Sequence, residues 1–181
     1  GGGYHTVVLA MDGVVWAWGH NRCGQLGLMA HYCTGSATDY VLRRPRPLTQ
    51  FPPFSIVYAE AGWGHTVLLT ADKRILVAGR NCSGQLGVSG DGCQENERGT
   101  PSSCRFVELC DGAGATNVTL TLLGTIVEYG DKTMLWGAVR AAHRWYDGTV
   151  PSEMHVPVES EKKIVWATFA SEATTCIFQK E

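Results

Sequence analysis

A chain of 181 residues, 44% of them apolar, can bury a real core and fits one domain of ordinary size. Seventeen acidic against fifteen basic residues give a net charge of −2, so nucleic acid is an unlikely partner and no acidic tail is present. No apolar stretch approaches the ~18 residues of a membrane span, so no membrane contact is expected.

The first residues, Gly1-Gly2-Gly3-Tyr4, lack the pattern of a signal peptide and read as the middle of a longer chain. Residues 4–10 form a strand candidate, Met11-Asp12-Gly13 a turn, and residues 14–18 a second strand, which together predict a hairpin. Gly24-Gln25-Leu26-Gly27 follows, with two glycines placed for backbone angles that residues with a Cβ avoid. The connector at 28–54 carries Arg43-Arg44-Pro45-Arg46-Pro47, expected to be a stiff, extended loop able to grip an acidic partner. As a solvated connector, the same segment would merely climb from one strand to the next.

A short strand at 55–60 precedes a second hairpin, with strands at 64–70 and 75–78 around a turn at 71–74. This hairpin copies the first at an offset of sixty. His5-Thr6 falls on His65-Thr66, Asp12 on Asp72, Gly19 on Gly79 and Asn21 on Asn81. Gly24, Gln25, Leu26 and Gly27 fall on Gly84, Gln85, Leu86 and Gly87, so that eleven of the twenty-four positions between 5 and 28 are identical. Two worn copies follow. Gly114 to Val118 are laid over Gly62 to Thr66 at an offset of fifty-two, which puts Asn117 in the histidine's place. That alignment leaves about six extra residues before Asp131 to Gly137, which resemble Asp72 to Gly79 with one residue lost. Further on, Ile164-Val165-Trp166-Ala167 echoes Ile56-Val57-Tyr58-Ala59, and Ala173-Thr174 takes the place of His65-Thr66.

Periods of ~50 residues made of short antiparallel strands predict an all-β chain of β-propeller blades. The repeats run approximately over 1–54, 55–106, 107–162 and, as a partial copy, 163–181. About three blades make a partial or open propeller, because some four are the fewest that usually close a ring. The missing blades would come from the same chain or from a covering subunit.

These motifs resemble the regulator of chromosome condensation repeat family. Its pattern is carried here by Gly2, His5, Thr6, Gly19, Asn21 and the tetrapeptide Gly24 to Gly27. The second copy supplies Gly62, His65, Thr66, Gly79, Asn81 and the tetrapeptide Gly84 to Gly87. The resemblance implies a rigid interaction scaffold with protein partners. It also implies, as the alternative, guanine-nucleotide exchange on a small GTPase, although no residue here matches the exchange positions.

Other chemistry finds little support. His5 and His65 are expected to be satisfied by backbone within their own blades, and Asp12 and Asp72 by nearby amides in their turns. No nucleophile, base and acid are brought together by the repeat, so neither catalysis nor a cofactor is expected. The seven cysteines lie without C-x-x-C pairs or partner histidines, which predicts reduced thiols, no zinc site and an intracellular protein. The compartment within the cell is open. A last candidate is the aromatic-basic run Arg144-Trp145-Tyr146, a composition suited to an interface hot spot and equally to packing on its own blade.

Overall fold

The computed structural model describes residues 1–28, 40–88, 94–95, 101–109, 114–130, 132–141, 144–148, 162–170 and 173–180. Every regular element among them is a β-strand, and every pairing is antiparallel. Strands β1 (His5–Leu9), β2 (Val15–His20) and β3 (Val41–Pro47) make the first sheet, in that order. The second sheet orders β4 (Ile56–Ala61), β5 (His65–Thr70), β6 (Ile75–Arg80), β8 (Pro101–Glu108) and, at its edge, β7 (Gln94–Glu95). The third runs through β9 (Asn117–Leu120), β10 (Leu123–Tyr129), β11 (Lys132–Ala141) and β12 (Arg144–Gly148). A two-stranded sheet of β13 (Lys162–Ala170) and β14 (Ala173–Lys180) follows.

Register shows which residues occupy equivalent places. His5 pairs with Gly19 and His65 with Gly79, while in the third sheet Gly124 pairs with Gly137. The third copy therefore lies fifty-nine residues beyond the second over its first strands, not fifty-two. Thr121 stands where Gly62 stood, since its amide donates to the Gly124 carbonyl as the Gly62 amide donates to that of His65. The histidine's replacement is Gly124 rather than Asn117, which lies on β9 opposite Glu128. With this register the six surplus residues vanish. The short, glycine-poor turn before β10 had concealed the alignment, because Thr121-Leu122-Leu123 shares nothing with Gly62-Trp63-Gly64. In the fourth sheet the bulge between Ile164 and Trp166 repeats that between Ile56 and Tyr58, which puts Ala173-Thr174 in the place of His65-Thr66.

The sheets bury their faces against one another. Between the first and second lie Val15, Ala17, Leu26, Leu48, Ile56 and Leu68. Between the second and third lie Val67, Val77, Leu86, Leu109, Val118 and Trp136 among others. Strand β5 joins both cores, because alternate side chains leave opposite faces: Leu68 enters one and Val67 the other. On β1 the counterpart of Leu68 is Val8, which is 41% exposed against 0% for Leu68. Being sandwiched, and not strand sequence, sets that difference.

Gly19 and Gly79 are the penultimate residues of β2 and β6, at φ +104° and +113°. A Cβ on Gly79 would sit 2.5 Å from the Gly64 carbonyl oxygen and 2.7 Å from the His65 Cα, so only glycine lets the strands approach. The hairpin turns are less strict. Gly13 has φ +78°, but the equivalent Lys73 adopts φ +63° with a Cβ, a left-handed conformation that costs an L-residue about 1–2 kcal/mol. Replacing Lys73 by glycine should raise stability by about 0.5–1 kcal/mol, after the extra chain entropy of glycine is deducted. The midpoint of thermal unfolding should rise accordingly; an unchanged or lower midpoint contradicts the strain.

Candidate partner-binding surface

The repeat loops are built twice from the same bonds. Asn21 Nδ2 donates to the Leu28 carbonyl while its Oδ1 accepts from the Leu26 amide at 2.9 Å. Asn81 does the same with Val88 and Leu86. Gln25 Oε1 accepts from the Cys23 amide and Gln85 Oε1 from the Ser83 amide, each folding back on its own loop. Each amide side chain thereby supplies partners for backbone groups that the tight loop leaves out of any sheet ladder. Leu26 and Leu86, at the loop tips, are wholly buried in the cores between sheets.

The loop also docks on the following sheet. A Cβ at Gly24, at φ +76°, would overlap the backbone of Ser103 and Cys104 on β8. The same atom on Gly27 would strike the Phe106 ring, and on Gly87 it would strike Leu109 and Trp136. A hydroxyl completes the joint. Thr66 Oγ1 donates to the Gln25 carbonyl, and Thr125 Oγ1 donates to the Gln85 carbonyl at 2.7 Å. Each second-sheet or third-sheet threonine thus reaches back into the preceding repeat's loop.

The histidines belong to this joint, not to their own sheets. His5 Nε2 lies 2.7 Å from Thr66 Oγ1 on the neighbouring sheet, which corrects the expectation of a backbone bond within the blade. Because the threonine hydroxyl donates to Gln25, His5 Nε2 donates to the threonine oxygen and carries the ring proton. His65 is fully buried and neither ring nitrogen makes a hydrogen bond in the structure. Burial lowers the His5 pKa to about 3, with the neighbouring His65 adding to the depression. Burial likewise lowers that of His65 to about 4, against a smaller opposing effect of the Gly124 backbone. Both rings are neutral at pH 7, which suits buried packing groups and removes them as cationic catalysts. Asp12 accepts from the Val14 amide in its turn, whereas Asp72 pairs with Arg74, which also reaches Glu108 at 3.2 Å.

What faces solvent differs from what was expected of loops. Arg43, Arg44 and Arg46 stand on β3, an outer strand bonded to β2 with a register shift between Ala17 and Gly19. They do not form a loop: the Asn21 amide donates to the Tyr40 carbonyl and His20 pairs with Val41, so this segment runs antiparallel beside β2. All three are exposed. Arg144, Trp145 and Tyr146 likewise belong to a strand, β12, paired opposite Ala141, Arg140 and Val139; their side chains lie outside the described residues. Within 89–105, strand β8 begins at Pro101, and Arg105 on it is exposed near β3. Arg105 and Phe106 carry no signal in the sequence, because only stacking of two sheets brings them beside Arg46 and Phe51.

Among the described residues no three His, Cys, Asp or Glu side chains gather as a metal would require. No helix among them is long and apolar enough to cross a membrane.

The doubled loop invites comparison with known proteins. The pattern described as the Regulator of chromosome condensation (RCC1) repeat matches residues 12–69, and a second pattern of that repeat matches 56–85. Residues 12–85 of this chain are regulator of chromosome condensation repeats. Relatives include the human Probable E3 ubiquitin-protein ligase HERC4, 32% identical over 136 residues, covering 71% of this chain and 12% of that protein. The mouse Secretion-regulating guanine nucleotide exchange factor is 38% identical over 90 residues, covering 49% and 17% respectively. Among solved structures, Prp20p of Saccharomyces cerevisiae superposes with a TM-score of 0.73 at 18% identity, over 96% of this chain and 41% of that one. The chain therefore spans a minor part of each relative's length. It is a run of RCC1-type blades, part of a propeller.

Proposed function

We propose that this run of RCC1 repeats is a scaffold that presents exposed strand and loop surfaces to protein partners. The observation that carries the reading is where the reactive side chains go. Both repeat histidines are buried and neutral, both glutamines and both asparagines are spent on loop bonds, and the arginines of β3 stay at the surface. A rigid base with charged outer strands suits binding rather than turnover. Val8, exposed on the first sheet where its counterpart is buried, supports a further blade or covering subunit on that face. An intracellular setting belongs to the same proposal and rests on Cys82 and Cys104 being free thiols.

A second reading, nucleotide exchange on a small GTPase, is favoured by the mouse exchange factor and by Prp20p, which is described by its binding to Gsp1p and histones. One pair of measurements separates them. The full-length protein should elute with stoichiometric partners, and charge reversal at Arg43, Arg44 and Arg46 should weaken their retention. It should leave nucleotide release from a panel of small GTPases unchanged. Accelerated release at substoichiometric protein would overturn the scaffold reading in favour of exchange.

A further inference from the structure

The connector from β3 to β4 carries an exposed hydroxyl that the joint between repeats does not use. Thr49 stands in the turn after β3, between the buried Leu48 and the exposed Gln50. It lines a groove of about 780 Å³ together with Arg46, Phe51 and Arg105. Arg46 lies three residues ahead of it and Arg44 five ahead, and both are exposed. Their strand is the outermost of the first sheet. Its register jumps from Arg46 opposite Ala17 to Leu42 opposite Gly19, so residues 43–45 bulge out of the ladder. Pro45 and Pro47 contribute no amide donor, and their fixed φ keeps the segment extended. A bulged outer strand of this kind lifts from its sheet at low cost, up to Leu48, whose amide donates to the Val15 carbonyl.

We propose that Thr49 is a phosphorylation site for a protein kinase that reads arginines ahead of its acceptor. Such kinases hold the substrate extended and select it by charge, with carboxylates of the cleft taking guanidinium groups through paired hydrogen bonds. Arg44 and Arg46 supply those groups, β3 the extended backbone, and the turn an acceptor that solvent reaches. The arginines need not be unpaired, because bonds between exposed charges are weak and exchange readily. Kinases that read an immediately following proline or acid find neither, since Gln50 and Phe51 come next. In the reaction Thr49 Oγ1 attacks the γ-phosphorus of ATP. The new O–P bond replaces the one to the β-phosphate oxygen, ADP leaves, and the hydroxyl proton passes to the kinase's catalytic carboxylate.

The inference goes beyond the scaffold reading and stands or falls without it. Full-length protein is incubated with Mg²⁺, radiolabelled ATP and the purified catalytic subunit of an arginine-directed kinase. An acid-directed kinase and heat-denatured protein serve as comparisons. Native protein should take up stoichiometric phosphate at Thr49, located by mass spectrometry, and Thr49→Ala should abolish that label. Arg46→Ala should lower the initial rate by about tenfold and Arg44→Ala by a smaller factor, while Lys73→Ala should not change it. Coincident melting curves establish that the variants fold; Arg46→Lys, which keeps the charge but loses the paired bonds, serves if Arg46→Ala does not. Label confined to other residues, label at Thr49 only after denaturation, an unchanged rate in the Arg46 variant, or faster labelling by the acid-directed kinase would each overturn the inference.

Discussion

Truncating Leu86 to alanine is expected to destabilise the protein by about 2–5 kcal/mol. Leu86 sits at the tip of the second repeat loop and is wholly buried among Leu109, Val118 and Trp136. Burying a leucine of this kind contributes roughly 1.5–3 kcal/mol by transfer alone, and the cavity left behind adds to the loss. Collapse around the gap is resisted on both sides. The Asn81 bonds hold the loop, and the space between Gly87 and the Leu109 and Trp136 side chains is too small even for a Cβ, so the loop cannot move inward without breaking those bonds or meeting that wall. The loss should therefore lie in the upper half of that range. Chemical denaturation with guanidinium, read by tryptophan fluorescence, measures it. A loss under about 1 kcal/mol would mean that the loop tip does not fasten the second sheet to the third.

Acid should unfold the protein earlier than ordinary exposed carboxylates alone would cause. His5 and His65 ionise in the folded state near pH 3 and 4, against the ordinary 6.5, because burial disfavours the imidazolium. The unfolded chain therefore binds more protons than the native one below pH 6.5. The stability these groups contribute is fully present above that value and falls as pH drops toward 4 and then 3. Each histidine can impose a slope of about 1.4 kcal/mol per pH unit over that window. Glu60 works in the opposite sense: burial raises its carboxyl above the usual 4.5, so acidification relieves it. One partly buried carboxyl offsets little of two histidines. Unfolding free energies measured from pH 7.5 to 4.5 should be flat above about pH 7 and decline below 6.5. His5→Gln should remove roughly half of the decline, whatever it does to stability at pH 7. A profile flat down to pH 4.5 would show that the rings reach water or a proton acceptor in the folded state.

Both expectations come from a joint that the sequence displays only in part. Repetition of His-Thr, Asn and Gly-Gln-Leu-Gly at sixty residues is visible in the chain, and so are the hairpins, since turn glycines and alternating strands are local signals. The loop bonds of Asn21 and Gln25 are local too, spanning two to seven residues. Equivalence in the third repeat was not legible, because identity had eroded at Thr121 to Gly124 while backbone register had not.

The partner of His5 lies sixty-one positions away and that of Thr125 forty away, on adjacent sheets. No period within one repeat reveals such a bond. Sequence alone determined that this protein is a repeated all-β chain, because steric limits on glycine and two-residue alternation act between near neighbours. Stacking alone decided which strand faces are buried, which histidine finds a partner, and that Arg46 and Arg105 share one groove. Those outcomes depend on how one sheet lies on the next, a relation set by packing across the interface and written in no single stretch of chain.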